Sequence, residues 1–144
     1  MADSFCRKHK EEVFTIETQD LKSIYTTEVT YKGIFASKFL AEGIMLIFPD
    51  TSDVHEIREY SFLTKKADLH GDISLGDLVK IDDLTYTIIH LGEIAQNNLV
   101  ELGHITIKFG PPVSSVMPGT IYLENQSIPR VEAGSVLSIL KNTL

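Results

Sequence analysis

Short runs in which hydrophobic and polar positions alternate recur along the chain. They are rich in Ile, Val, Thr, Tyr and Phe and are bounded by Gly, Pro, Asp and Asn, which is typical of β-strands. The pattern predicts strands near Glu12–Glu17, Ser23–Tyr31, Gly43–Phe48, Tyr60–Leu63, Asp77–Ile81, Leu84–His90, His104–Phe109, Gly119–Leu123 and Ser135–Leu140. The pair Asp82-Asp83 separates two of these runs and predicts a tight turn, and hence a hairpin.

Two segments favour helix. They are Ala36–Glu42 and Glu93–Leu102, and each is followed by glycine, the preferred residue just beyond a helix. Neither is long enough to serve as the crossover of a parallel sheet, and the polar stretch from Asp50 to Glu56 is predicted to be a solvated loop. Many short strands with one or two short helices predict an all-β fold, a small barrel that is closed or partly open.

The chain is predicted to contain one folded domain. Residues 1–21 are more charged than the rest and are interpreted as an N-terminal extension, whereas residues 22–144 form the domain. No apolar run approaches the roughly 20 residues needed to span a bilayer. The first residues lack the apolar core and cleavage site of a secretory signal, and the single cysteine, Cys6, cannot form an internal disulfide. We therefore expect a cytoplasmic protein.

The charge and the spacing of reactive side chains exclude several function classes. The formal net charge is −7 and the basic residues are scattered, so a nucleic acid is not an expected partner. The five histidines, at positions 9, 55, 70, 90 and 104, are never three or four residues apart, and no zinc motif or glycine-rich phosphate loop occurs. We expect no metal and no cofactor.

Two histidines stand in informative places. His104 lies where a helical turn ends at Gly103 and a strand begins. From the residues alone it is either a site residue or a polar cap of the turn. His90 lies in an apolar run and is predicted to be packed rather than reactive.

The segment Asn98–Phe109, NLVELGHITIKF, changes this picture. It closely resembles a signature of the glucitol/sorbitol-specific enzyme IIA family of the bacterial sugar phosphotransferase system, N-L-x-E-L-G-H-[IV]-T-[LI]-x-F. All ten specified positions are matched without a gap. Weaker similarities in the same order extend the resemblance over about residues 22 to 140.

The resemblance implies a β-barrel that acts as a cytoplasmic phosphoryl carrier. Such a protein takes a phosphoryl group from the phosphohistidine of the small carrier HPr. It passes the group to the IIB part of the IIB/IIC sorbitol permease. The carrier protein itself reaches the membrane only through this permease. The chemistry requires a neutral imidazole, whose ordinary pKa is about 6.5, because a P–N bond remains reactive enough for onward transfer.

The chain departs from the family at the phosphorylated position. The family's acceptor histidine ends a pattern like Y-x-F-I-H, and this chain reads Tyr60-Ser61-Phe62-Leu63-Thr64. Thr64 therefore occupies the acceptor position, and a threonine phosphoester would be too stable to pass on. The resemblance makes His104 a second histidine that lines the cleft near Thr64 and donates to the phosphoryl group. The alternative, a strand-end cap, stays open.

Three nearby residues complete the predicted site. His70 lies six residues beyond Thr64 and can be a substitute acceptor only if the chain doubles back. Lys65 and Lys66 are expected to attract phosphate, since ammonium groups bind it as point charges.

Three functions follow from these residues. The first is an enzyme IIA-like phosphotransferase component. The second is a phosphorylation-incompetent paralogue that acts as a binding or regulatory module, because the acceptor is Thr64. The third is an unrelated barrel that binds a small ligand, which the signature disfavours.

Overall fold

The computed structural model describes residues 21–142 and confirms the all-β fold as a closed barrel. Its strands follow the order β1-β3-β2-β6-β7-β5-β4-β8 around the barrel. The strands are β1 Ser23–Lys32, β2 Ile44–Pro49, β3 Phe62–Thr64, β4 Leu78–Ile81, β5 Leu84–Leu91, β6 Ile105–Phe109, β7 Thr120–Leu123 and β8 Val136–Leu140. The helices are α1 Ala36–Ala41, α2 His55–Tyr60 and α3 Ala95–Leu102. The strand predicted near Glu12–Glu17 lies outside the described residues.

Alternation along the strands fills the interior of the barrel. On β2 and β6, the side chains of Met45, Ile47, Ile105 and Ile107 are almost completely buried, and the residues between them are only partly covered. Because successive side chains of a strand point to opposite faces, one face of each strand supplies the core. The alternating pattern in the sequence therefore predicts which side chains fill the core of the barrel.

The predicted hairpin at Asp82-Asp83 is confirmed. Ile81 and Leu84 pair directly at the ends of β4 and β5. Asp82 has a φ of 52°, and aspartate tolerates this left-handed conformation better than most residues. Its carboxylate also accepts a hydrogen bond from the backbone N–H of Val136 at 2.9 Å, which ties the turn to β8.

The prediction of only two helical segments was wrong. His55–Tyr60 forms helix α2 where a loop and the start of a strand were expected. None of its residues is buried, so it lacks the apolar stripe that makes a helix visible in a sequence. No helix between residues 21 and 142 is both long enough and apolar enough to cross a membrane.

The barrel also contains parallel strand pairs that sequence reasoning did not anticipate. β2 pairs with β3, and β6 with β7, in parallel register. The connection over residues 50–61 includes α2, whereas residues 110–119 form an irregular loop that begins with Pro111-Pro112 beyond Gly110. A connection of about a dozen residues is sufficient for a parallel crossover, so no long helix was required.

Candidate functional site

Thr64 is held at the end of a short strand that lies between two longer ones. It pairs with Val29 of β1 on one side and with Pro49 of β2 on the other. Its carbonyl oxygen accepts a hydrogen bond from the backbone N–H of Asp50 at 2.8 Å. Only 1% of the residue is exposed, and its hydroxyl has no hydrogen-bond partner within residues 21–142. The position predicted for the acceptor is thus fixed by backbone pairing on both sides.

A cleft of about 270 Å³ opens beside Thr64. One wall is the segment that continues from β3, and the opposite wall is the C-terminal half of α3. The lining residues of this Thr64 cleft are Tyr25, Pro49, Thr51, residues 64–67 and residues 99–103. The signature segment, read in the sequence as a helical turn followed by a strand, therefore contributes one wall of the cleft.

The two lysines of the cleft are in different electrostatic situations. The Nζ atom of Lys65 lies 3.2 Å from a carboxylate oxygen of Glu28, whereas Lys66 is exposed and makes no ion pair with any described residue. Glu101 brings a carboxylate to the opposite wall. Among residues 21–142, Lys66 and Glu101 of the cleft therefore have no ion-pair partner.

His104 lies next to the cleft, and its ring packs against Phe48. The two ring centroids are 4.9 Å apart with planes tilted by 41°. Ile105 pairs with Ile47 and both are buried in the core, so the neighbouring Phe48 and His104 project from the opposite face of their strands. The residue that reaches the cleft wall is Gly103, which ends α3 in a left-handed conformation with a φ of 71°.

The imidazole of His104 makes no hydrogen bond with the described part of the chain. It therefore does not cap the preceding turn through its side chain there, and both ring nitrogens are available to solvent or a ligand. Its role as a donor toward the cleft stays a prediction. Burial lowers the pKa of His104 below its ordinary value, so the ring is neutral at pH 7.

The lowered pKa of His104 predicts a pH-dependent stability difference. Below the unfolded pKa of about 6.5, the unfolded chain binds a proton that the folded chain resists, so folding stability falls as the pH decreases. Above that pH both states are neutral and the difference disappears. We expect the wild type to lose more stability between pH 7 and pH 5 than His104→Gln, measured by urea unfolding at both pH values. Equal losses in the two proteins would contradict the assigned direction.

The structure does not bring His70 back to Thr64. The segment beyond Thr64 runs along β1, with hydrogen bonds from Lys65 N–H to Glu28 at 3.1 Å and from His70 N–H to Ile24 at 2.8 Å. From Glu28 to Ile24 the strand advances four residues, or about 13 Å. His70 is exposed at the far end of this segment, and its role as a substitute acceptor remains a prediction without geometric support.

The prediction that His90 is packed was wrong. It was expected to be packed, but it is exposed and meets Tyr122 edge-on at a centroid distance of 6.2 Å. The pairing of β5 with β7 shifts register between Ile88 and His90. This irregularity leaves Ile88 in the core and His90 on the outer surface.

Sequence reasoning missed Tyr25 as a cleft residue. Tyr25 is 4% exposed and lines the cleft, and its hydroxyl has no partner among the described residues. Burial raises the pKa of Tyr25, so the phenol stays protonated and can donate a hydrogen bond. Its place in an ordinary alternating strand gave no signal, because only the barrel topology brings β1 beside the segment that follows Thr64.

The described residues contain no cluster of three or more His, Cys, Asp or Glu side chains that could hold a metal ion. The residues that line the cleft carry hydroxyls, two ammonium groups and a carboxylate. Such groups can bind and orient a charged ligand without a metal.

Sequence comparisons with known proteins point to one family, and a structural comparison supports the fold. The family model described as the PTS system glucitol/sorbitol-specific IIA component matches residues 24–138. The PTS system glucitol/sorbitol-specific EIIA components of Shigella flexneri and Escherichia coli K12 are each 28% identical over 114 residues, covering 79% of this chain and 92% of each relative. A crystal structure of a PTS system IIA component from Enterococcus faecalis V583 superposes with a TM-score of 0.72 at 23% identity. The superposition covers 81% of this chain and 99% of the Enterococcus faecalis chain, and it supports the barrel fold.

Proposed function

This chain belongs to the glucitol/sorbitol-specific IIA family of the sugar phosphotransferase system, and we propose that it acts where a phosphoryl group passes from HPr to the IIB permease component. The family match over residues 24–138 carries this proposal. In it, the protein is cytoplasmic and reaches the membrane only by docking on the IIB/IIC permease.

The identity of residue 64 limits how this step can occur. A relay needs a nitrogen nucleophile, and Thr64 offers a buried hydroxyl whose phosphoester would not be passed on. The threonine at this position is the reason to propose a second candidate function at the same step. The chain would then dock on the phosphotransferase components as a binding or regulatory module without carrying the phosphoryl group itself.

Incubation with phosphoenolpyruvate, enzyme I and HPr, followed by intact mass measurement, tests both functions. We expect weak or absent labelling of the wild type, because position 64 lacks a histidine. Binding to HPr or to IIB in a pull-down, without a label, would support the docking module. Failure to bind either component would contradict the whole proposal.

Strong labelling would instead support the relay, and variants would then locate the acceptor. A label that survives Thr64→Ala and disappears in His70→Ala would show that the acceptor has moved to His70. A label that disappears only in His104→Ala would assign it to His104. Acid lability would distinguish a phosphohistidine from a phosphothreonine in either case.

A further inference from the structure

We infer that the Thr64 cleft is a non-covalent receptor for a phosphoryl dianion, bound by the hydroxyls of Thr64 and Tyr25 and the ammonium group of Lys66. Two sources can supply this group, the phosphohistidine of a carrier protein or a small phosphate compound. The inference that a carrier protein is the source rests on the proposed function. The inference that the cleft binds a phosphoryl group does not.

The first argument is the pair of unpartnered hydroxyls. Thr64 and Tyr25 are 1% and 4% exposed, and neither hydroxyl is hydrogen-bonded to a described residue. Ser61 carries the one hydroxyl within residues 21–142 that is both unpartnered and sealed from solvent. The Thr64 and Tyr25 hydroxyls therefore retain some accessible surface, and the space that both residues line is the cleft. Buried polar groups are nearly always hydrogen-bonded, so each hydroxyl is expected to bind a ligand or water.

The second argument is the unpaired ammonium group. Lys65 and Lys66 both line the cleft, but Glu28 already neutralises Lys65 at 3.2 Å. Lys66 is exposed, has no such partner among the described residues and brings a positive charge to the cleft. An ammonium group binds phosphate as a point charge, and hydrogen bonds to a charged acceptor are roughly twice as strong as neutral ones.

The third argument is space. The cleft volume of about 270 Å³ lies just below the range of about 300–1,000 Å³ for drug-sized ligands. It suits a phosphoryl group, alone or on an imidazole, better than a large ligand. Threonine is also smaller than histidine, so Thr64 leaves room where the side chain of a family acceptor would stand.

Groups on the opposite wall act against tight binding of an anion. Glu101 lines the same cleft, and the C-terminal end of α3 carries partial negative charge. Binding is therefore expected to be weak, with a dissociation constant in the millimolar range for inorganic phosphate, and sensitive to salt. Glu101→Gln should strengthen it.

Titration of the full-length protein with inorganic phosphate, followed by backbone amide NMR, tests the receptor. We expect saturable shifts for residues 64–67, and about tenfold weaker binding in Thr64→Val, which keeps the shape of the residue and removes its hydroxyl. Lys66→Gln should weaken binding several-fold, and the matched variant Lys65→Gln should weaken it less. Tyr25→Phe should also weaken it, whereas Lys38→Gln on the exposed surface of α1 should have no effect.

Two results would overturn the receptor. One is the absence of phosphate-dependent shifts at residues 64–67. The other is wild-type affinity in both Thr64→Val and Lys66→Gln, with native amide spectra showing that the variants are folded.

A second set of titrations identifies the source of the phosphoryl group. Tighter binding of phosphorylated than of unphosphorylated HPr, with competition by inorganic phosphate, would support the carrier as the source. Equal binding of the two HPr forms, with phosphate still bound in the cleft, would assign the receptor to a small phosphate compound. Phosphate binding without any HPr or IIB binding would uphold the receptor and overturn the proposed function.

Discussion

Replacing Thr64 by histidine is expected to give a chain that takes up an acid-labile phosphoryl group from HPr. The position is fixed by its pairing with Val29 and Pro49, and it opens on a cleft of about 270 Å³ that can accommodate the imidazole. The substitution supplies the neutral nitrogen nucleophile that the wild type lacks. Labelling should rise from weak or absent to a large fraction of the protein, measured by intact mass before and after acid treatment.

Two further variants make this result specific. Thr64→Asn brings a side chain of intermediate size without a transferable nitrogen and should remain unlabelled. Adding His104→Ala to Thr64→His should lower the label if the second imidazole donates to the phosphoryl group. An unlabelled Thr64→His protein that is folded and still binds HPr would show that this strand end is out of reach of the carrier.

The outcome for His104 also decides between two structural explanations. Its ring precedes β6 and packs against Phe48 of β2, while Gly103 lines the cleft. A donor role requires the ring to turn toward the transferring group when a partner docks. An unchanged label in the double variant would instead indicate that the ring acts only through its packing on Phe48.

The strands of the barrel could be predicted because each is determined by residues that are close together in the sequence. Alternation along each strand marks the core face, and Asp82-Asp83 marks the hairpin. Helix α2 was missed since none of its residues is buried, and the parallel pairing of β2 with β3 was missed because residues distant in sequence determine it. The local sequence pattern thus predicted the individual strands better than it predicted which strands pair in the barrel.

The candidate site was predictable only where a motif marked it. The signature that precedes His104 and the altered pattern ending at Thr64 mark two segments that line one cleft in the structure. No sequence signal separated Lys66 from Lys65, because the difference arises from Glu28 on another strand. Tyr25 was missed for the same reason, since its strand pairs with β3 only in the folded barrel.

The position of Thr64 depends on a close backbone contact at the other end of β3. Gly33 follows β1 and lies against the last turn of α2, where a Cβ atom would be 2.2 Å from the carbonyl oxygen of Arg58 and 2.3 Å from that of Glu59. The N–H of Gly33 donates to the carbonyl of Ser61 at 2.9 Å, immediately before β3 begins. Both carbonyl oxygens belong to the backbone, so they cannot yield without displacing the chain that leads into β3.

Gly33→Ala is therefore expected to destabilise the protein by about 3 kcal/mol or more, a large effect for one methyl group. Urea unfolding measures it, and the exposed neighbour provides a matched control, since Ile34 is 69% exposed. Ile34→Ala should change the free energy of unfolding by less than about 0.5 kcal/mol. In the folded fraction of Gly33→Ala, the amide signals of Phe62–Thr64 should shift because the entry to their strand has moved. A Gly33→Ala protein as stable as the wild type, with these signals unchanged, would show that α2 does not fix the position of Thr64.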